Sequence, residues 1–163
     1  MNAPTRSAPA EGREAWPATP ASVGLEFRRT DRYRSADIAA FARACGDTNP
    51  LHDERAAQFS FREVIASGQH TSAMLLSLAT SYFSRPRESV RPTEVLVLHV
   101  NFAFKHPVFA EEEAELRWRV DEVSWNQRQA GHVLVLSGDV HTARFAPQPA
   151  LVARTALLVR AAP

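Results

Sequence analysis

From Pro92 onward the chain carries four successive stretches in which apolar side chains alternate with polar ones, and no helical stretch separates them. They are Leu96, Leu98, Val100, Phe102 and Phe104; then Leu116, Trp118 and Val120; then Leu134, Leu136 and Val140; then Leu151, Ala153, Leu157 and Val159. A period of two marks strands with one buried face, and strands that follow one another without crossover helices pair antiparallel. The stretch ahead of them is different in kind. Ala73, Met74, Leu75, Leu76, Leu78, Ala79, Tyr82 and Phe83 place apolar groups on nearly every side of a helix spanning Thr71 to Phe83, after the flexible Ser67-Gly68. A helix apolar all round needs cover all round. The two features together predict a sheet curled around one buried helix, an α+β arrangement.

With 163 residues, of which 45% are apolar, the chain supports one core and not two. Residues 1–20 hold Pro4, Pro9, Pro17 and Pro20 among Ala, Ser, Arg and Glu, too little apolar area to offset the entropy of ordering. They are expected to be a flexible tail, and residues 21–163 the folded domain. Val23, Leu25 and Phe27 alternate as in a strand and give way to a polar Arg/Asp/Arg stretch. Ser35 then reads as an N-cap for a helix through Asp37, Ile38, Phe41 and Ala44, and Gly46 stands where a terminating glycine belongs. Nineteen basic against 18 acidic residues leave a net charge of +1, which gives no footprint for nucleic acid or an anionic membrane. The one cysteine, Cys45, rules out an internal disulfide and any multi-cysteine metal site. The N-terminus has no continuous apolar h-region, and no segment reaches the ~18 apolar residues that a membrane helix needs, so a soluble, cytoplasmic protein is expected.

The stretch Gly46-Asp47-Thr48-Asn49-Pro50-Leu51-His52 holds a carboxylate and an imidazole five positions apart, in a loop stiffened by Pro50 and beside the amide of Asn49. Two readings of it stand on spacing alone. In one, Asp47 and His52 form an acid/base pair. In the other, Asp47 and Asn49 merely make an Asx-type turn, and His52 caps a short helix from Asp53 to Phe59.

This stretch, with Phe41 and Cys45 ahead of it and Ala57 behind, resembles the signature of the MaoC-like family of R-specific enoyl-CoA hydratases: Gly-Asp-x-Asn-Pro-hydrophobe-His followed by a small residue. The similarity continues through Ile65–Leu76, which resembles the family's glycine-initiated central helix. It also includes Val100–Glu113, where Asn101-Phe102-Ala103-Phe104-Lys105-His106-Pro107-Val108 resembles a strand ending in proline before an acidic turn. The resemblance spans roughly residues 25 to 160. It implies a single hot-dog domain, an antiparallel sheet wrapped around one long central helix, paired into a homodimer or a higher oligomer of dimers.

The resemblance also implies an activity, the reversible hydration of a 2-enoyl thioester to a 3-hydroxyacyl thioester carried by CoA or an acyl-carrier protein. Asp47 and His52 would be catalytic, and Asn49 would support His52. Gly68, at the mouth of the buried helix, would stabilise the enolate oxygen through free backbone N–H groups, with Ser67 and His70 beside it on the thioester. No metal and no cofactor is implied beyond the thioester substrate. Many relatives place His before this glycine and an apolar pair after it, whereas this chain has Ser67, Gln69 and His70. An acyl-thioesterase of the same fold and a non-catalytic acyl-thioester-binding subunit are the alternatives, and retention of both acid/base residues argues against each.

Other residues carry less. Cys45 has no base assigned to it and reads as packing. His99, His106, His132 and His141 are scattered without metal-ligand spacing. Trp118 and Trp125 have opposite parity on one strand, so at most one is expected to face the core. Arg85, Arg87 and Arg91 form a charged loop that suits CoA phosphates or an acyl-carrier protein, or simply solvent.

Overall fold

A computed structural model describes residues 20–85 and 93–162 of the protein. The tail expected over residues 1–20 lies, but for Pro20, outside the described residues, as do Arg87 and Arg91. The main elements in chain order are β1 (Glu26–Arg32), α1 (Ser35–Cys45), 3₁₀ turns at Pro50–His52 and Glu54–Gln58, α2 (Gly68–Ser84), β2 (Thr93–Phe104), β3 (Glu113–Asn126), β4 (Gly131–Thr142) and β5 (Leu151–Ala161). The strands build one antiparallel five-stranded sheet in the order β1-β3-β4-β5-β2, with β1 and β2 at its edges.

The helix α2 lies on the inner face of this sheet, where Leu75, Leu78 and Ala79 meet Leu116, Trp118, Val120, Leu134, Leu136 and Leu157 in one core. Trp118 is fully buried, and its indole Nε1–H donates to the Leu75 carbonyl oxygen at 2.7 Å, pinning the helix to the middle of β3. Its cross-strand partner on β4 is Gly138, and any Cβ there would run into the indole. Apolar cover is nonetheless one-sided. Leu75 and Ala79 are buried completely, while Ala73 is exposed and Met74 and Leu76 are half-buried, so the expected all-round burial is not reached within one chain.

The same holds for β2. Its alternation correctly marks a strand, but a bulge between Val97 and His99 and its edge position leave Leu96, Val97, Leu98 and Phe104 between 41% and 56% exposed. A long edge strand with open backbone groups and apolar side chains is a surface ready for a further strand or chain.

Several local expectations are corrected. The first strand begins at Glu26, with Gly24 in a left-handed turn before it, and runs through the polar Arg28–Asp31 stretch because an edge strand needs only one buried face. The first helix is capped not by Ser35 but from a distance, since Glu111 Oε1 accepts from the Ser35 backbone N–H at 3.0 Å and from its hydroxyl at 3.3 Å. That contact is the main cause holding the Glu111 carboxyl below its ordinary value. Trp118 and Trp125 prove to share a face. A bulge between Val120 and Glu122 resets the parity, so Val120, Val123 and Trp125 oppose the inward Leu136, Leu134 and His132. Cys45, expected to pack, is exposed at the end of α1, and Arg85 is exposed just past α2. Among the described residues no helix is long and apolar enough to cross a membrane.

Candidate active site

Gly46 closes α1 with a left-handed φ of 70°. Its N–H donates to the Arg43 carbonyl at 3.1 Å and that of Asp47 to the Ala42 carbonyl at 2.8 Å, a Schellman ending that turns Asp47 out of the helix. Asp47 Oδ1 then accepts from the Asn49 backbone N–H at 2.9 Å, which fixes the carboxylate and leaves Oδ2 free. The 3₁₀ turn begins at Pro50, and Asn49 holds both its ends, accepting at Oδ1 from Leu51 N–H and at its carbonyl from His52 N–H, each at 3.2 Å. Asn49 thus touches the backbone under His52 and not the imidazole. The Asx turn read from the spacing is present, and it is what delivers the carboxylate. The cap of the next turn is Asp53, not His52: its side chain accepts from Arg55 N–H. The Arg55 guanidinium beside Asp53 pulls that carboxyl down to about 2.

The His52 side chain is 7% exposed, and its Nδ1 lies 2.8 Å from the Ile65 carbonyl oxygen. A carbonyl only accepts, so Nδ1 carries the proton, and in the neutral ring Nε2 keeps its lone pair. That nitrogen faces Asp47 Oδ2 at 3.6 Å. The segment carrying Ile65 is fastened on two sides. Ile65 N–H donates to the Leu51 carbonyl at 3.0 Å, while Ala66 N–H donates to the Val108 carbonyl and Ala110 N–H to that of Val64, both at 2.8 Å. Arg144 reinforces it, bridging Glu63 at 3.0 and 3.1 Å and Glu112 at 2.6 Å.

Three residues beyond Ile65, α2 begins. Ser67 is its N-cap: the hydroxyl accepts from His70 N–H at 3.1 Å, and the Ser67 carbonyl accepts from Thr71 N–H at 3.1 Å. Gly68 and Gln69 are left as the N–H groups of this helix end that have no acceptor among the described residues. The side-chain position of Gly68 is filled by a neighbour, since a Cβ there would stand 2.9 Å from Cε1 of Phe104. The buried His70 ring stacks on Phe41 of α1, centroids 4.6 Å apart, and leans on Tyr33 at 5.3 Å. Burial pushes its imidazole below the ordinary value, opposed by Asp37 and reinforced by His52. His70 Nδ1 and Tyr33 Oη are buried without hydrogen-bond partners among the described residues.

The structure therefore joins α1 and the loop after it to α2 and the segment before it at two points, Phe41 on His70 and His52 on Ile65. Of the residues picked out by sequence, Asp47 and His52 converge through their side chains. Ser67 and His70 meet across the cap, and Gly68 offers its backbone. Sequence reasoning missed the Ile65 carbonyl, the Glu111 cap and the Phe104 ring. The first is a backbone group without a sequence signal, and the other two act across long chain separations.

The remaining four histidines make other contacts: His99 is exposed on β2, His106 Nε2 is 2.8 Å from Gln148 Oε1, His132 sits against Trp125, and His141 is beside Asp139. A cleft of about 760 Å³ on the opposite face of the sheet, with Arg28, Arg117, Arg119 and Asp139 among its walls, contains neither Asp47 nor His52. Its Arg117 is paired with Asp139 at 2.7 Å.

Comparison with known proteins identifies the fold. The (R)-hydratase from A. caviae involved in PHA biosynthesis superposes with a TM-score of 0.68 at 23% identity, over 87% of this chain and 98% of that one. R-hydratase PhaJ1 from Pseudomonas aeruginosa gives 0.68 at 21% identity, over 87% of this chain and 84% of its own. The HadBC 3R-hydroxyacyl-ACP dehydratase complex from Mycobacterium tuberculosis gives 0.62 at 16% identity, over 83% and 96%. At these identities the likeness is one of fold, the hot-dog fold. No curated protein sequence matches the chain. The family model described as "MaoC like domain" matches residues 18–142, most of the chain and all of the site, and the protein belongs to the MaoC-like family.

Proposed function

We propose that the protein reversibly adds water to a 2-enoyl thioester, giving a 3-hydroxyacyl thioester, with Asp47 and His52 as the catalytic pair. The observation that carries this reading is the 3.6 Å between His52 Nε2 and Asp47 Oδ2, with Nδ1 locked on Ile65. The gap is too long for a good direct hydrogen bond and allows one water to bond both atoms. Neutral His52 takes a proton from that water at Nε2 as the oxygen attacks the β-carbon. The imidazolium, stabilised by the Asp47 carboxylate, returns the proton to the α-carbon. Charge that develops on the thioester oxygen meets the free N–H groups of Gly68 and Gln69 at the positive end of α2. In this scheme Ser67 and His70 shape the helix start, and neither side chain needs to touch the thioester.

The A. caviae and P. aeruginosa relatives are named as R-hydratases and the M. tuberculosis complex as a 3R-hydroxyacyl-ACP dehydratase, which supports hydration chemistry and an acyl-carrier protein as one carrier, with CoA proposed as the other. The open apolar edge of β2 supports a homodimer, and a cytoplasmic location is proposed with it. No metal or cofactor enters the scheme. The test is turnover of crotonyl-CoA and longer acyl-CoAs, followed at the absorbance of the conjugated thioester with a thiol reagent in parallel. Loss of conjugation without free thiol is expected. Release of free thiol instead would identify a thioesterase and overturn the proposal.

A further inference from the structure

Gly68 and His70 stand two positions apart on the first turn of α2, so their side-chain directions differ by about 200° around the helix axis. The His70 direction is filled by Phe41 of α1, the helix whose end delivers Asp47. The Gly68 direction is filled by Phe104, the last residue of β2, with Cε1 at 2.9 Å and Cζ at 3.0 Å from where a Cβ would be. Side-chain directions in a helix lean toward its N-terminus, so this ring stands beside the free Gly68 N–H. The start of α2 is thus flanked by the Phe41 ring of α1 on one side and by the Phe104 ring of β2 on the other, three residues past the Ile65 carbonyl that holds His52. Phe104 is 56% exposed, so the ring that rests on Gly68 keeps an open surface.

We propose that Phe104 is a specificity-determining residue of this site, the wall opposite Asp47 and His52 that excludes acyl groups carrying an alkyl branch on the α-carbon. The inference rests on the hydratase reading above. With the thioester oxygen on the Gly68 amide, the flat enoyl group turns one face to the acid/base pair and the other to Phe104. When the α-carbon accepts its proton from the acid/base side it becomes tetrahedral, and a methyl on that carbon is driven out of the plane toward the ring. A hydrogen in the same place meets no obstacle.

The experiment compares crotonyl-CoA with 2-methylcrotonyl-CoA as substrates, and butyryl-CoA with 2-methylbutyryl-CoA as unreactive ligands, in the full chain and in Phe104→Ala, with Phe104→Leu as a second variant. Circular dichroism and thermal melting verify the fold of each. The natural chain is expected to favour crotonyl-CoA by 100-fold or more in kcat/KM and to bind the branched saturated ligand at least 10-fold more weakly than the straight one. Phe104→Ala should shrink both ratios at least 10-fold, chiefly by improving the branched partner, with Phe104→Leu between. If crotonyl-CoA turns over but the ratios stay within 2-fold of the natural chain's in both folded variants, Phe104 is not the filter and the hydratase reading survives. If nothing turns over but the binding ratio collapses in Phe104→Ala, the filter stands and the hydratase reading falls. If no thioester binds at all, both fall.

Discussion

Replacing His52 by Asn and by Ala separates what that residue does for the fold from what it does for the chemistry. The Asn amide nitrogen superposes on imidazole Nδ1, so His52→Asn keeps the donor to the Ile65 carbonyl, which the histidine holds at 2.8 Å, while deleting Nε2. His52→Ala deletes both and leaves a buried carbonyl unpaired, which costs about 1–3 kcal/mol. For a chain of this size each kcal/mol moves the melting temperature by about 2–4 °C. The Ala variant should therefore melt several degrees below the Asn variant. Turnover of crotonyl-CoA should fall on the order of 10²-fold or more in both, because neither has a base facing Asp47. Thermal melts and initial rates on the same samples decide the matter. Equal melting of the two variants would show that the Ile65 bond does not set the tautomer, and a His52→Asn rate near that of the natural chain would remove Nε2 from the mechanism.

Asp47→Asn keeps an oxygen for the Asn49 N–H and loses only the charge 3.6 Å from Nε2; turnover should drop on the order of 10²-fold with the melt unchanged. A melt lowered in step with the rate would assign Asp47 to the turn alone. Gly138→Ala puts a methyl into the Trp118 indole, and an overpacking loss of about 1–3 kcal/mol should show in chemical denaturation. A neutral result would mean that the core yields there. Glu111→Ala uncaps α1 and should lower stability in the same assay, since the Ser35 N–H and hydroxyl lose their acceptor; no change would assign the cap to solvent. His70 and His132 are both held below the ordinary imidazole value, chiefly by burial, so the unfolded chain takes up their protons first as pH falls. Stability should be full above the unfolded value of about 6.5 and should decline below it until the folded values are reached, with a shallower decline in His70→Phe. Denaturation midpoints that do not change between about pH 7.5 and pH 5.5 would contradict this.

Local order was legible wherever one residue's neighbours in sequence are also its neighbours in space. The period of two along β3, β4 and β5, the glycine that ends α1 and the Asx turn after it all follow from backbone sterics and short-range hydrogen bonds. The signature from Gly46 to His52 named the two side chains, Asp47 and His52, that converge in the structure. Parity failed at Trp125 because a bulge inserts one residue, an event that leaves no mark on the composition of the strand. The N-cap of α1 was misassigned because a carboxylate 76 positions away outcompetes the local serine.

One buried helix against an antiparallel sheet, and Asp47 and His52 in one constrained loop, follow from the local pattern of the chain. Which nitrogen of His52 is free is fixed only when the segment around Ile65 is zipped to Leu51 and Val108. The tertiary structure likewise decided that Phe104 would fill the space beside Gly68 and that β2 would leave its apolar side chains uncovered. The difference is one of range: periodicity and turn chemistry act over a few residues, whereas a tautomer, a distant cap and a ring packed against Gly68 are set by groups that meet only after the sheet has closed on its helix.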